Sequence, residues 1–315
     1  MQLSRAHLAI ATAFAAIYLI WGSTYLALAL ALKSLPPFTL MAARCLIGGV
    51  ILYGAARVTG ASSPRLRTRI VAAICGVLFF VGCHGVLAYA QQRVHSGLAA
   101  VLLATIPLWI VLLQVIFPGS ERPTWKTVAF LIPGVMGVAL IASHEASSGS
   151  SELRASDIFL LLGAALSWAA GTFVSERYSG KFSPVALSGM ELLAGGVVLL
   201  AIGAARGELG GMNLSDVTTT SIAGWAYLTL MGTVVAFAAY IWLLKQVPST
   251  LVATYTFVNP IIAVLLGWAF LGETLSLWML AGAALVIASV AGLLLGRGKS
   301  QERTKRPRSL QLSAR

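Results

Sequence analysis

The second half of this 315-residue chain repeats the first, and each half holds an odd number of membrane-length apolar segments. An odd count turns the second copy over relative to the first, so the chain is expected to fold as two oppositely oriented halves of one bundle. At a constant offset Trp21 matches Trp168, Pro37 matches Pro184, Arg44 matches Glu191, Gly48-Gly49 match Gly195-Gly196, and Leu52 matches Leu199. The offset then grows by six and holds again. Val94, Ser96, Leu98 and Ala100 match Val247, Ser249, Leu251 and Ala253, Pro107 matches Pro260, and Trp125 matches Trp278. The extra residues fit in the polar stretch from Arg206 to Thr218.

Composition supports a bilayer location. Hydrophobic residues make up 58% of the chain and charged residues 10%, whereas a soluble domain carries about a quarter charged residues. A spanning helix needs about 20 largely apolar residues. Ten stretches qualify: 8–31, 36–57, 69–91, 96–117, 124–143, 156–176, 183–205, 220–244, 249–271 and 275–296. Strand-length alternation is absent, so helices satisfy the backbone. The expected fold is an all-α polytopic membrane protein with ten transmembrane helices in two inverted five-helix repeats, residues 8–143 and 156–296. A basic tail, 297–315, follows. The run after Arg5 is too long for a signal-peptide core, and Trp21 within it has a repeat partner, so it reads as a retained first helix.

Lysine and arginine placement sets the orientation. With a cytoplasmic N-terminus, that side receives Arg57, Arg65, Arg67, Arg69, Arg122, Lys126, Arg177, Lys181 and Lys245, among others, and seven basic residues from Arg297 to Arg315. The other side receives only Lys33, Arg93, Arg154 and Arg206. The asymmetry places both termini in the cytoplasm. The net charge of +12 then needs no nucleic-acid partner. Cys45, Cys75 and Cys83 lie within spans and lack ligand-like spacing, so neither a metal site nor a disulfide framework is expected. Gly298-Lys299-Ser300 lacks the leading glycine and preceding strand of a phosphate loop, and no cofactor is expected.

Ionisable groups at membrane depth are candidates for function, because burial is costly without a partner or access to water. Arg44 and Glu191 each lie about 10 Å into their spans at 1.5 Å per residue. They either line the pathway, with Glu191 as a carrier of a proton or cation, or tie their helices to neighbouring polar groups. His84, opposite Phe237 in the repeat, reads as a proton relay or as a packed, hydrogen-bonded ring. Thr105 and Pro107, with Tyr255, Asn259 and Pro260, put a proline at equivalent depth in two inverted helices. Each proline either frees a carbonyl about one turn earlier, as a ligand for substrate, or only kinks its helix to fit the bundle. Tyr255 and Asn259, four apart, share a helix face. Trp21, Ser23 and Tyr25 in the first span and Trp168 in the sixth form a second symmetric set, suited to stacking on a solute or to core packing.

Ile20-Trp-Gly-Ser-Thr-Tyr25, Pro37 to Arg44 with Gly48-Gly49, Ser96-Gly-Leu-Ala-Ala to Pro107, Ser167-Trp168, Val258-Asn-Pro260 and Gly272-Glu-Thr occur in this order. The order resembles the EamA branch of the drug/metabolite transporter superfamily, especially its YedA-like members, over about residues 8 to 296. The resemblance implies a central cavity formed by spans one to four and six to nine, with spans five and ten peripheral. It also implies export of amino acids or other small metabolites. In the first repeat the acid matching Glu273 falls one position late, at Glu121.

The expectation is therefore a secondary transporter in a bacterial inner membrane, exporting small metabolites such as amino acids by alternating access. Its partners would be a small-molecule substrate and membrane lipid, with proton coupling open, as a monomer or weak dimer. A lipid or lipid-linked sugar flippase and a non-transporting scaffold are the alternatives. No enzyme is expected, because His144-Glu145 lacks a second histidine and Glu191 a second carboxylate.

Overall fold

The computed structural model describes residues 5–117, 129–147, 154–178, 182–247, 252 and 254–305. Among them all regular structure is helical. Glu121, Trp125, Ser249, Leu251, Ala253 and the tail beyond Lys305 lie outside the described residues.

Helix α1 is Arg5–Ala31 and α2 is Pro37–Val58. Helix α3 starts as Leu66–Gly76, continues as a π-helical segment Val77–Gly85, and ends as Val86–Ala90. Then come α4 (Ser96–Leu103), α5 (Ile106–Ile116), α6 (Leu131–Ser147), α7 (Ala155–Tyr178) and α8 (Pro184–Ala205). Helix α9 repeats the pattern of α3, with Thr219–Tyr227, a π segment Leu228–Val235 and Ala236–Gln246. Helices α10 (Tyr255–Leu271) and α11 (Leu277–Lys305) close the chain. Seven described helical runs are long and apolar enough to cross a membrane, and they fall on expected spans one to four and six to eight. Expected spans five, nine and ten hold the shorter apolar helices Ile132–Ile141, Val258–Leu271 and Leu277–Gly292. Exposed Val50, Phe159 and Val197 face outward, as suits lipid contact.

Helix starts follow local chemistry. The repeat partners Pro37 and Pro184 both occupy the first position of a helix, where no amide hydrogen is needed. The expected insertion, Arg206 to Thr218, carries a cap for α2: Glu208 accepts from the amide of Thr39 at 2.8 Å and from its hydroxyl at 2.9 Å. Thr218 caps α9 by accepting from the Ser221 amide at 3.2 Å. Gly272, at φ +68°, ends α10 in the left-handed conformation that glycine adopts without strain.

The fourth span differs from expectation. It is broken between α4 and α5, where Ala104 and Thr105 form a turn. Pro107 then lies in the first turn of α5. Its missing N–H falls where helix geometry leaves amides unpaired anyway, so it starts a helix instead of freeing a carbonyl within one. Pro260 does sit inside its helix.

The two halves exchange partners. Helix α1 of the first half packs on α9 and α10 of the second, and α7 of the second packs on α3, α4 and α5 of the first. The repeat partners α2 and α8 pack on each other along their glycine pairs. A Cβ on Gly49 would lie 2.8 Å from Leu193, and one on Gly196 2.9 Å from Leu46. Helices α6 and α11 pair away from this centre through Gly137 and Gly282, each facing the other helix's backbone, and the Ser289 hydroxyl donates to the Phe130 carbonyl.

Candidate functional site

The π segments shape the centre of the bundle. A π turn carries an extra residue and leaves carbonyls without their usual amide partner. Side chains from the opposite half take up two of them. The Trp21 indole N–H on α1 donates to the Gly232 carbonyl of α9 at 3.0 Å, and Ser167 on α7 donates to the Leu78 carbonyl of α3 at 2.8 Å. Each π segment also bonds back on itself five residues earlier. Thr233 donates to the Leu228 carbonyl at 3.0 Å, and His84 Nδ1 lies 3.1 Å from the Phe79 carbonyl.

Trp21 and Trp168 therefore occupy matching places on opposite sides. The Trp21 ring lies 4.7 Å from Tyr255 and 5.4 Å from Tyr240. The Trp168 ring lies 4.7 Å from Phe79 and 5.1 Å from His84, which in turn stacks on Phe80 at 5.6 Å. His84 is thus a packed, hydrogen-bonded ring whose edge meets one of the central tryptophans.

Arg44 reaches into this region from α2. Its Nε donates to Thr233 Oγ1 at 3.0 Å, and a Cβ on Gly232 would be 3.8 Å from its Nη2. Arg44 thus joins the Trp21 side, where Gly232 and Thr233 lie next to each other on the π segment of α9. Glu191 does not join them. It is buried on α8, where the Ser175 hydroxyl of α7 donates to it at 3.4 Å, and no ion pair links it to Arg44. The repeat equivalence of the two residues is thus one of position only.

The remaining candidates divide. Asn259 is buried one turn after Tyr255, and its Oδ1 has no partner among the described residues. Helices α4 and α10 run antiparallel with Gly97 against Val264 and Ser96 against Gly267. That register puts the α4–α5 break near the level of Asn259 and Pro260. The Thr105 hydroxyl donates to the Leu102 carbonyl at 2.6 Å, within the break. Ser23 is bonded to the Leu19 carbonyl at 2.7 Å and to the Tyr227 hydroxyl at 2.7 Å, tying α1 to α9. Tyr25 contributes its backbone carbonyl, which accepts from Gln91 at 2.9 Å.

Sequence reasoning missed Thr233, Ser175, Tyr240 and both π segments. It also missed a polar cluster at one end of the bundle. There Arg93 pairs with Asp157 at 2.6 Å, and Arg93 and Arg206 both lie over the Tyr89 ring, at 4.9 and 5.2 Å. The hydrogen bond to Asp157 holds the Arg93 guanidinium above its ordinary value. Arg206 and Glu208 come from the insertion, which is where a signal was available. Among the described residues no cluster of His, Cys, Asp and Glu could hold a metal ion.

A sequence profile described as the EamA-like transporter family matches residues 8–143 and again 155–295. The inner membrane transporter YedA of Escherichia coli strain K12 is 32% identical over 289 residues, 90% of this chain and 89% of that protein. The transporter YoaV of Bacillus subtilis strain 168 is 24% identical over 87% of this chain and 92% of its own. A protein of Streptantibioticus cattleyicolor described as a "Probable terminal-alkyne amino-acid exporter" is 26% identical over 86% of this chain and 88% of its own. A solved crystal structure superimposes with a TM-score of 0.61 at 20% identity, over 93% of this chain and 99% of that one, which is a likeness of fold alone.

Proposed function

Because this chain belongs to the EamA-like transporter family of the drug/metabolite superfamily, we propose that it is a secondary transporter exporting small metabolites, amino acids or related compounds, by alternating access across an inner membrane. The observation that carries this reading is the exchange of partners between halves: Trp21 bonds to the π segment of α9, and Ser167, beside Trp168, bonds to the π segment of α3. Two halves built alike and locked through matching contacts can trade conformations, so that each in turn adopts the shape of the other. The reading takes the chain as ten spans in two inverted repeats, 8–143 and 156–296, with both termini cytoplasmic on the lysine and arginine asymmetry.

In this reading the solute passes between Trp21, Arg44, His84, Trp168, Tyr255 and Asn259. Pro260 loosens α10, and the α4–α5 break before Pro107 gives the facing helix a matching joint. Glu191, apart from this group, is the candidate coupling residue. The YedA relative is described as an inner membrane transporter and the Streptantibioticus cattleyicolor relative as a probable amino-acid exporter, which supports the proposed membrane and substrate class.

A second reading, a lipid or lipid-linked sugar flippase, is favoured by one observation. A groove of about 510 Å³ lies at the surface between α3 and α7, lined by Gly82, Val86, Ser156, Phe159, Leu160, Gly163 and Ala164. Purified protein reconstituted in liposomes and tested with labelled amino acids, sugars and nucleotides at two pH values separates the readings. Movement of an amino-acid-like solute is expected. Failure of every small solute, with movement of a labelled lipid, overturns the exporter reading.

A further inference from the structure

Arg44 is a cation that no described residue answers with an ion pair. It is buried in α2, and a guanidinium does not shed its proton. Uncompensated charge at membrane depth is costly, so such residues usually pair or face water. The one ion pair among the described residues joins Arg93 to Asp157, and Glu191, the repeat counterpart of Arg44, engages Ser175 instead. Arg44 spends only its Nε, on the neutral hydroxyl of Thr233. That hydroxyl donates its own proton to the Leu228 carbonyl and is thereby fixed as an acceptor. The terminal nitrogens Nη1 and Nη2 make no hydrogen bond among the described residues. The protein anchors the guanidinium by one edge and leaves its forked end without a hydrogen-bond partner among the described residues.

That fork fits a carboxylate, whose two oxygens accept parallel N–H bonds. The surroundings narrow the ligand further. Beside the fork lies Gly232, whose carbonyl is already taken by Trp21, and beyond Trp21 stand the rings of Tyr240 and Tyr255. Such walls suit a hydrocarbon or aromatic body. On the Tyr255 face the orphaned Asn259 Oδ1 wants a donor, as an ammonium group would supply. No second lysine or arginine occurs at this depth in any described span, so a single negative charge is matched better than a phosphate dianion.

We propose that Arg44 is the carboxylate-recognition residue of the pathway, so that the solutes taken are amino acids and organic acids with a free carboxylate on an apolar or aromatic body. The assignment rests on the transport reading for the solute's route, but the binding step can be measured without flux.

The experiment uses full-length protein in detergent and in liposomes. Thermal stabilisation and competition are measured with matched pairs: leucine and leucine methyl ester, phenylalanine and its methyl ester, phenylacetate and phenylacetamide. In the wild type, at least one acid is expected to bind about tenfold or more tighter than its uncharged-end partner, as the loss of a charge-assisted bond implies. Arg44→Gln should erase that preference, and Arg44→Lys, which keeps the charge but not the fork, should retain only part of it. Thr233→Val, which removes the anchor of the guanidinium, should weaken binding of the acid more than of its ester, and an equal loss for both would count against the proposal. No acid bound better than its partner in the wild type, or an unchanged preference in a folded Arg44→Gln or Arg44→Lys protein, overturns the proposal. Acid-selective binding without flux of any solute would sustain it while refuting transport. Flux with acids and esters competing equally would do the reverse.

Discussion

Glu273 provides a quantitative test of how the halves are joined. It follows the left-handed Gly272, is 8% exposed, and accepts the amides of Ser96 at 2.6 Å and Gly97 at 3.1 Å. Both donors belong to the first turn of α4, where no intrahelical acceptor exists. Glu273→Ala leaves both unpaired, and at roughly 1–3 kcal/mol for each buried orphan the loss is about 2–6 kcal/mol. Glu273→Gln keeps one oxygen and turns an NH2 toward the other donor, costing about 1–3 kcal/mol. Gly267→Ala reaches the same cap by another route, since its Cβ would collide with Glu273 Oε2 and lie 2.8 Å from Ser96 Oγ. Ser96→Ala is the control, because it removes a buried hydroxyl that has no partner among the described residues. Equilibrium unfolding in mixed micelles, followed by tryptophan fluorescence and far-ultraviolet circular dichroism, should rank wild type and Ser96→Ala together. Glu273→Gln should fall below them, and Glu273→Ala with Gly267→Ala lowest. A Glu273→Ala protein within about 0.5 kcal/mol of wild type, the range of an inconsequential surface change, would refute the capping argument.

Gly76→Ala should cut the yield of monodisperse protein on size exclusion, because its Cβ would meet the Glu191 backbone carbonyl and neither backbone can yield; Gly54→Ala, with nothing within 4 Å, should not. Trp21→Phe removes the bond to the Gly232 carbonyl and should cost about 1 kcal/mol more stability in unfolding titrations than Trp168→Phe, which makes the same change of ring and loses no hydrogen bond. If Glu191 carries the coupling proton, Glu191→Gln should flatten the pH dependence of flux in liposomes; an unchanged profile removes it from that role.

What the repeat could reveal was whatever the two halves kept in common. Pro37 with Pro184 and the glycine pairs of α2 and α8 do the same job in both copies, so matching residues announced matching structure, and Trp21 and Trp168 share ring packing while the bond to the π segment passes from Trp21 in one copy to Ser167 in the other. Pro107 and Pro260 show the limit. The residue is shared, but one starts a helix and the other interrupts one, because a turn precedes Pro107. The π segments left no compositional mark, since an extra residue in a turn looks like any other apolar residue. Thr233 stayed hidden because its repeat counterpart is Phe80, so symmetry gave no hint of a polar anchor for Arg44. Glu273 appeared as part of a motif, but nothing local pointed to amides 177 and 176 positions away.

That distance has a consequence for how the protein is made. A ribosome adding about 5–20 residues per second needs roughly 9–35 s to travel from Ser96 to Glu273. For that interval the first turn of α4 is in place without the carboxylate that completes it. The nascent first half must wait, with two amides exposed, for a residue near the end of the chain. Truncation before Gly272 should therefore leave not a shorter carrier but a substrate for membrane quality control.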